Sequence, residues 1–261
     1  MKQIPALILT ALIAICGASA SAAPAVTAPQ VKNPQRVLLV GNSYIYYGDS
    51  LHNHLRRMVA AADAELGKKL QYKSATIGGA WLDHHNIDWL TTPGQIGIKQ
   101  PFELVILNEN SAAALSDKNR ERFLNAARAA SKTIQARGGK VALYMSHAYV
   151  APHKLADPAM IRKVEALYLQ VGNELNVLVI PVGLAFEEAY RRHPELKLHK
   201  EYDGSHPSMD GTYLAAATAY AAIYDRSPVG NTYDAFGEVD QATAAKLQAV
   251  AWDTVRRFYG R

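Results

Sequence analysis

The sequence predicts an α/β fold, a three-layer α/β/α sandwich around a five-stranded parallel sheet. Two observations predict it. Five short runs of β-branched and aliphatic residues recur along the chain, and between them stand stretches with the apolar spacing of helices, an alternation that builds parallel β-α units. Right-handed crossovers then place helices on both faces of one sheet.

The runs are Arg36 to Val40, Leu70 to Ile77, Glu103 to Leu107, Lys140 to Met145 and Val177 to Ile180. After the first, Leu51, Leu55, Met58, Val59, Ala62 and Leu66 follow the helical period, which predicts a helix directly after Ser43 and its loop. Ser116 is a cap for the next helix and Gly138 its stop, while Asp157 before Pro158 opens another. That helix fills one face with Met160, Ile161, Val164, Leu167, Tyr168 and Val171. Helices from about Ser208 to Tyr224 and from about Asp240 to Tyr259 complete the set. Sheets of this kind bind ligands at the carboxyl ends of their strands, here the loops beginning at Gly41, Gly78, Asn108, Ser146 and Val182.

The chain of 261 residues is expected to hold one catalytic-sized domain over 36–261, preceded by a signal peptide over 1–22 and an irregular leader over 23–35. Lys2, the apolar stretch from Ile4 to Ile15 and the small residues up to Ala22 carry the signal reading, with cleavage after Ala20 or Ala22. The implied destination is the periplasm or the extracellular space. The apolar stretch is too short to span a bilayer, so no stable membrane insertion of the mature chain is expected. Cys16, the only cysteine, lies in the segment to be removed, which excludes thiol catalysis, thiolate metal sites and disulfides from the mature chain. Ile15 before it is not the small residue that lipidation requires. The net charge of +5, from 28 basic and 23 acidic residues, is scattered rather than clustered, which speaks for a solvated surface and against a nucleic-acid partner. No internal repeat is present, and oligomeric state is not encoded in any recognisable pattern.

Four stations at the predicted sheet edge carry chemistry. The first is Gly41-Asn42-Ser43-Tyr44, a hydroxyl on a tight strand-to-helix turn; alone it fits a nucleophile or a simple helix cap. Near the other end, Tyr202-Asp203-Gly204-Ser205-His206-Pro207 puts a carboxylate three residues before an imidazole. That spacing lets Asp203 accept from one ring nitrogen while the other faces a serine, although the same pair also fits helix capping. Gly78-Gly79, after the second strand, lets backbone approach a substrate closely, and Asn108-Glu109-Asn110, after the third, presents side-chain amides. Acyl transfer needs such neutral donors around a developing oxyanion, yet glycine pairs and strand-end asparagines also make ordinary turns.

Taken in this order the stations resemble the SGNH hydrolases, whose four blocks are named for Ser, Gly, Asn and His, and in particular a bacterial branch with GNS in place of GDS. The resemblance runs from about Arg36 to Gly230 and is strongest from Asp203 to Tyr224. It implies the flavodoxin-like SGNH fold and a GDSL-type carboxylic ester hydrolase. By resemblance Ser43 is the nucleophile and one oxyanion donor, His206 the base and Asp203 its orienting acid. Gly79 and Asn110 complete the oxyanion hole, with Gly78 and Asn108 as alternatives. The implied activity is hydrolysis of short-chain acyl esters, acetyl esters first, on a carbohydrate or other small molecule, without a cofactor. Two other functions fit the same residues: O-acetyl transfer to a glycan, and a secreted carbohydrate-binding protein whose hydrolase site has decayed. Asn42 departs from the usual Asp of the first block, and the third block reads Asn-Glu-Asn rather than G-x-N-D. A standard α/β-hydrolase is excluded, because it would carry its serine in a G-x-S-x-G motif near the middle of the sequence, with its acid far before its histidine.

Tyr44, Tyr46, Tyr47 and Trp81 flank the proposed site, as a carbohydrate platform or as loop packing, and His147 is a further rim candidate, more readily a structural histidine. His52, His54, Asp83, His84, His85 and Asp88 lack H-E-x-x-H spacing and are read as a solvated or hydrogen-bonded cluster, so no metal is expected.

Overall fold

A computed structural model describes residues 23–261. The expected signal peptide, with Cys16, lies outside the described residues. The strands are β1 (Arg36–Gly41), β2 (Gln71–Thr76), β3 (Leu104–Leu107), β4 (Lys140–Tyr144) and β5 (Leu178–Ile180). The helices are α1 (Ser43–Tyr46), α2 (Leu51–Ala62), α3 (Ala64–Gly67), α4 (Ile87–Thr91), α5 (Asp117–Ala136), α6 (Met160–Leu175), α7 (Val182–Arg192), α8 (Met209–Tyr224) and α9 (Gln241–Phe258).

All four strand pairings are parallel, in the order β2-β1-β3-β4-β5. A parallel sheet is covered on both faces, which is why β1, β3, β4 and β5 read as largely apolar runs, while β2, at the sheet edge, carries Gln71, Lys73 and Ser74. Val37 and Leu39 of β1 point into a core closed by α2, α7, α8 and α9, and Leu38 and Val40 into one closed by α5 and α6. The α8 helix is buried on every side from Gly211 to Tyr224, and its alanines let α2, α7 and α9 approach closely. None of the described helices is long and apolar enough to cross a membrane.

The predicted helix through Leu66 breaks after Ala62. Asp63 leaves the helical conformation at φ −151° and its carboxylate accepts the Leu66 N–H at 2.9 Å, so a new turn starts as α3. The loop expected at Val182 is instead the start of α7, whose Val182, Ala185, Phe186 and Ala189 face the core. Residues 23–35 form neither helix nor strand, and they lie along the domain. Val26 and Val31 pack on the core, Gln30 donates to Asn176 O at 2.8 Å, and Pro34 O accepts from Tyr224 at 2.9 Å.

The chain leaves β1 toward β2 on one side and returns to β3 on the other. This reversal opens a crevice at the carboxyl ends of β1 and β3, and it brings the Asn42-Ser43 turn beside Asn108 to Asn110.

Candidate active site

Ser43 opens α1 and is 8% exposed. Its turn is held by Asn42, which is almost fully buried. The Asn42 Oδ1 accepts the Tyr44 N–H at 3.1 Å, while its Nδ2 donates to Ala80 O and to Glu109 O, each at 3.1 Å. One amide thus ties together the loops that follow β1, β2 and β3. A carboxylate in its place would have no hydrogen to offer the two carbonyls.

His206 lies 163 residues further along the chain, with its Nε2 2.9 Å from Ser43 Oγ. The Nδ1–H donates to Asp203 Oδ2 at 2.6 Å, which leaves Nε2 free to accept the serine proton. The other Asp203 oxygen accepts the backbone N–H groups of Ser205 and His206 at 2.8 and 3.0 Å. Burial pushes the Asp203 carboxyl up, but the His206 ring and these amides outweigh it and hold it below the ordinary carboxylate value. The turn depends on Gly204, at φ +61°, where an added Cβ would stand 2.0 Å from Val150 O. Helix capping falls to Ser208, whose Oγ accepts the Gly211 N–H at 3.1 Å, so Asp203 and His206 are not spent on α8. Tyr47 stacks on the His206 ring at 4.0 Å between centroids.

Gly78 and Gly79 are exposed, and Gly79 adopts φ +67°. Asn110 is half-buried; its Nδ2 donates to Gly79 O at 3.0 Å and its Oδ1 accepts the Ala112 N–H at 3.0 Å. One Asn110 hydrogen therefore holds the Gly79 carbonyl. Asn108 is 1% exposed and donates to Ser146 Oγ at 3.1 Å, which places it beneath the site and removes it as an oxyanion donor.

No family model matches the sequence, and no curated protein does. Solved structures do. A DUF4886-family protein from Bacteroides uniformis shares 16% identity, with a TM-score of 0.62 over 83% of this chain and 93% of its own. A candidate SGNH hydrolase from Slackia heliotrinireducens shares 18% identity, with a TM-score of 0.57 over 73% of this chain and 99% of its own. A variant of an acetylxylan esterase from Geobacillus stearothermophilus shares 14% identity, with a TM-score of 0.56 over 74% of this chain and 95% of its own. The chain has the SGNH hydrolase fold.

Within this SGNH fold, two of the expected substrate contacts are corrected. Tyr44 and His147 are 4% and 0% exposed, so neither can touch a substrate. They support the histidine loop from beneath. Their rings stack at 4.3 Å, Tyr44 OH meets Ser205 Oγ at 2.9 Å, and the His147 Nε2–H donates to Ser205 O at 2.8 Å. Burial drives the His147 ring well below the ordinary histidine value, which keeps it neutral, and it takes neighbouring His199 down to about 4. Tyr46 is 39% exposed and remains a rim residue, while Trp81 carries the Arg122 guanidinium 4.4 Å over its ring.

The discounted histidines and acids serve separate networks. His52 meets Ser50, His54 lies between Gly48 O and Tyr233, Asp83 holds Arg122 through both oxygens, and Asp88 pairs with Arg137. Among the described residues, no group of three or more could hold a metal ion. Two participants were overlooked. Ser205 passes for a loop serine, and Glu109 sits between two asparagines that draw attention away from it, although a lone carboxylate two residues past an all-apolar strand is itself a mark.

Proposed function

We propose that the protein is a serine esterase that hydrolyses short-chain acyl esters, acetyl esters in particular, through Ser43, His206 and Asp203. The observation that carries this reading is the unbroken relay from Asp203 Oδ2 through His206 to Ser43 Oγ, with spans of 2.6 and 2.9 Å. His206 Nε2 removes the Ser43 proton as Oγ attacks the ester carbonyl. Asp203 stabilises the imidazolium that forms. The oxyanion is held by the Ser43 N–H, the Gly79 N–H and the second hydrogen of the Asn110 amide. His206 returns the proton to the departing alcohol, and water then attacks the acyl-enzyme by the same route. No step calls on a cofactor.

Acetylated carbohydrate is the substrate class we favour. Its support is the acetylxylan esterase among the structural neighbours and the tyrosines Tyr46 and Tyr202, 39% and 69% exposed, as ring faces for a sugar. Export, read from the first 22 residues, is consistent with a polysaccharide outside the cell. The test is p-nitrophenyl acetate turnover by wild type, Ser43→Ala and His206→Ala, followed by acetate release from acetylated polysaccharides. Turnover by wild type alone, with free acetate as product, is expected. A folded but inert wild type returns the protein to the carbohydrate-binding reading, and acetate found on an added glycan acceptor makes it an acetyltransferase.

A further inference from the structure

We propose that Glu109 is the positioning residue of the oxyanion hole, setting the Asn110 amide and the Gly79 peptide in register with Ser43, an inference that rests on the esterase reading. Glu109 is 0% exposed, so it meets no substrate and acts only through its neighbours. It lies just past β3, at the reversal where the three active-site loops converge, and it bonds to each. Its Oε1 accepts the Asn110 N–H at 2.6 Å and the Leu82 N–H at 3.0 Å, and its backbone carbonyl accepts from Asn42 at 3.1 Å. The path to the reacting atoms is short. Fixing the Asn110 backbone fixes its side chain, which donates to Gly79 O at 3.0 Å and so anchors the Gly79–Ala80 peptide, next in the chain to the Gly79 N–H.

A buried carboxyl is an expensive way to accept two backbone hydrogens. Its Oε2 has no hydrogen-bond partner among the described residues, and nearby Arg122 is committed to Asp83 at 2.7 and 2.8 Å. An unsatisfied buried oxygen costs stability that an apolar residue with a repacked loop would not. The arrangement is explained by what the shared acceptor does: oxyanion donors work only when held at hydrogen-bond distance before the charge develops.

The test compares Glu109→Gln, which keeps an acceptor at Oε1, with Glu109→Met, which keeps the length without it, and with Glu109→Asp, whose carboxyl is withdrawn by one methylene. Steady-state rates on p-nitrophenyl acetate are measured well below each melting midpoint. Glu109→Gln should keep kcat within about threefold, whereas Glu109→Met and Glu109→Asp should lose about 10- to 100-fold in kcat with KM within about twofold, the signature of a lost transition-state contact. Phosphonylation of Ser43 by a fluorophosphonate should slow by the same factors. A merely structural Glu109 would shift melting midpoints while leaving kcat of the folded variants unchanged, and that result overturns the proposal, as does an equal loss in Glu109→Gln and Glu109→Met. Should Glu109→Met not fold, Glu109→Asp against Glu109→Gln decides in the same way. An inert wild type overturns the esterase reading and this one together, whereas an active wild type with indifferent variants overturns this one alone.

Discussion

At the scale of single residues, position 42 carries an unusual load for a side chain that does no chemistry. Asn42→Asp removes both donors to Ala80 O and Glu109 O and sets a carboxylate against two carbonyl oxygens. From the cost of buried hydrogen bonds, a loss of about 2–4 kcal/mol is expected, measured by chemical denaturation of the mature protein. Asp203→Asn affects rate instead. It leaves His206 without its acceptor and favours the wrong tautomer, so kcat on p-nitrophenyl acetate should fall by about 10³–10⁴-fold. The melting midpoint should move little, because the side chain is partly exposed. The pairing of Asp203 with His206 was legible in their three-residue spacing, and Ser43 only through the order of the four blocks and the resemblance they carry; the structure brings the three within hydrogen-bond reach. The support beneath them was not legible, because Tyr44 and His147 owe their role to stacking across distant segments, which leaves no local pattern.

At the scale of elements, the histidine loop and the buried edge of β3 are the sensitive parts. Gly204→Ala would drive a methyl into Val150 O from a backbone at φ +61°, so the loop must shift and carry His206 away from Ser43. Activity should drop at least tenfold even where far-UV circular dichroism is unchanged, at about 1.4 kcal/mol per tenfold. Burial raises the Glu109 carboxyl to about 7, against the pull of the two amides it accepts. The folded protein therefore keeps a proton between about pH 4.5 and 7 that the unfolded one has lost. This contribution to stability is fully present below about pH 4.5 and lost as pH rises through about 7. His147 and His199 work the other way: their lowered values contribute stability that is present above about pH 6.5 and lost as pH falls below it, for His199 through about 4. Glu109→Gln should remove the first effect alone, making stability at pH 8 relative to pH 5 better than in wild type by roughly 3 kcal/mol, as read by denaturation at the two values. Strand positions were read within a residue or so because short β-branched and aliphatic runs bounded by turn residues are easily recognised. The core-facing α7 was missed, since it follows its strand with no linker or polar cap to announce it.

At the scale of the molecule, the sheet order decides where function sits. Reversal of the chain between β1 and β3 creates the crevice, and the histidine loop closes it from the start of α8. Residues 23–35, read in the sequence as an irregular leader, pack Val26 and Val31 on the core. A protein beginning at Gln35 should melt several degrees lower, by the loss of about 1–3 kcal/mol of apolar burial. The five strands and both layers followed from alternation of strand and helix, while the packing of residues 23–35 did not, because their few apolar residues carry no period. The most direct measurement of the central claim is the site of covalent capture. The mature protein is treated with a fluorophosphonate at neutral pH, and the adduct is located by peptide mass spectrometry, alongside His206→Ala. One adduct, on Ser43, formed in wild type and at least about a hundredfold more slowly in His206→Ala, is the expected result. Modification at any other residue, or labelling of Ser43 that ignores the loss of His206, would contradict the account.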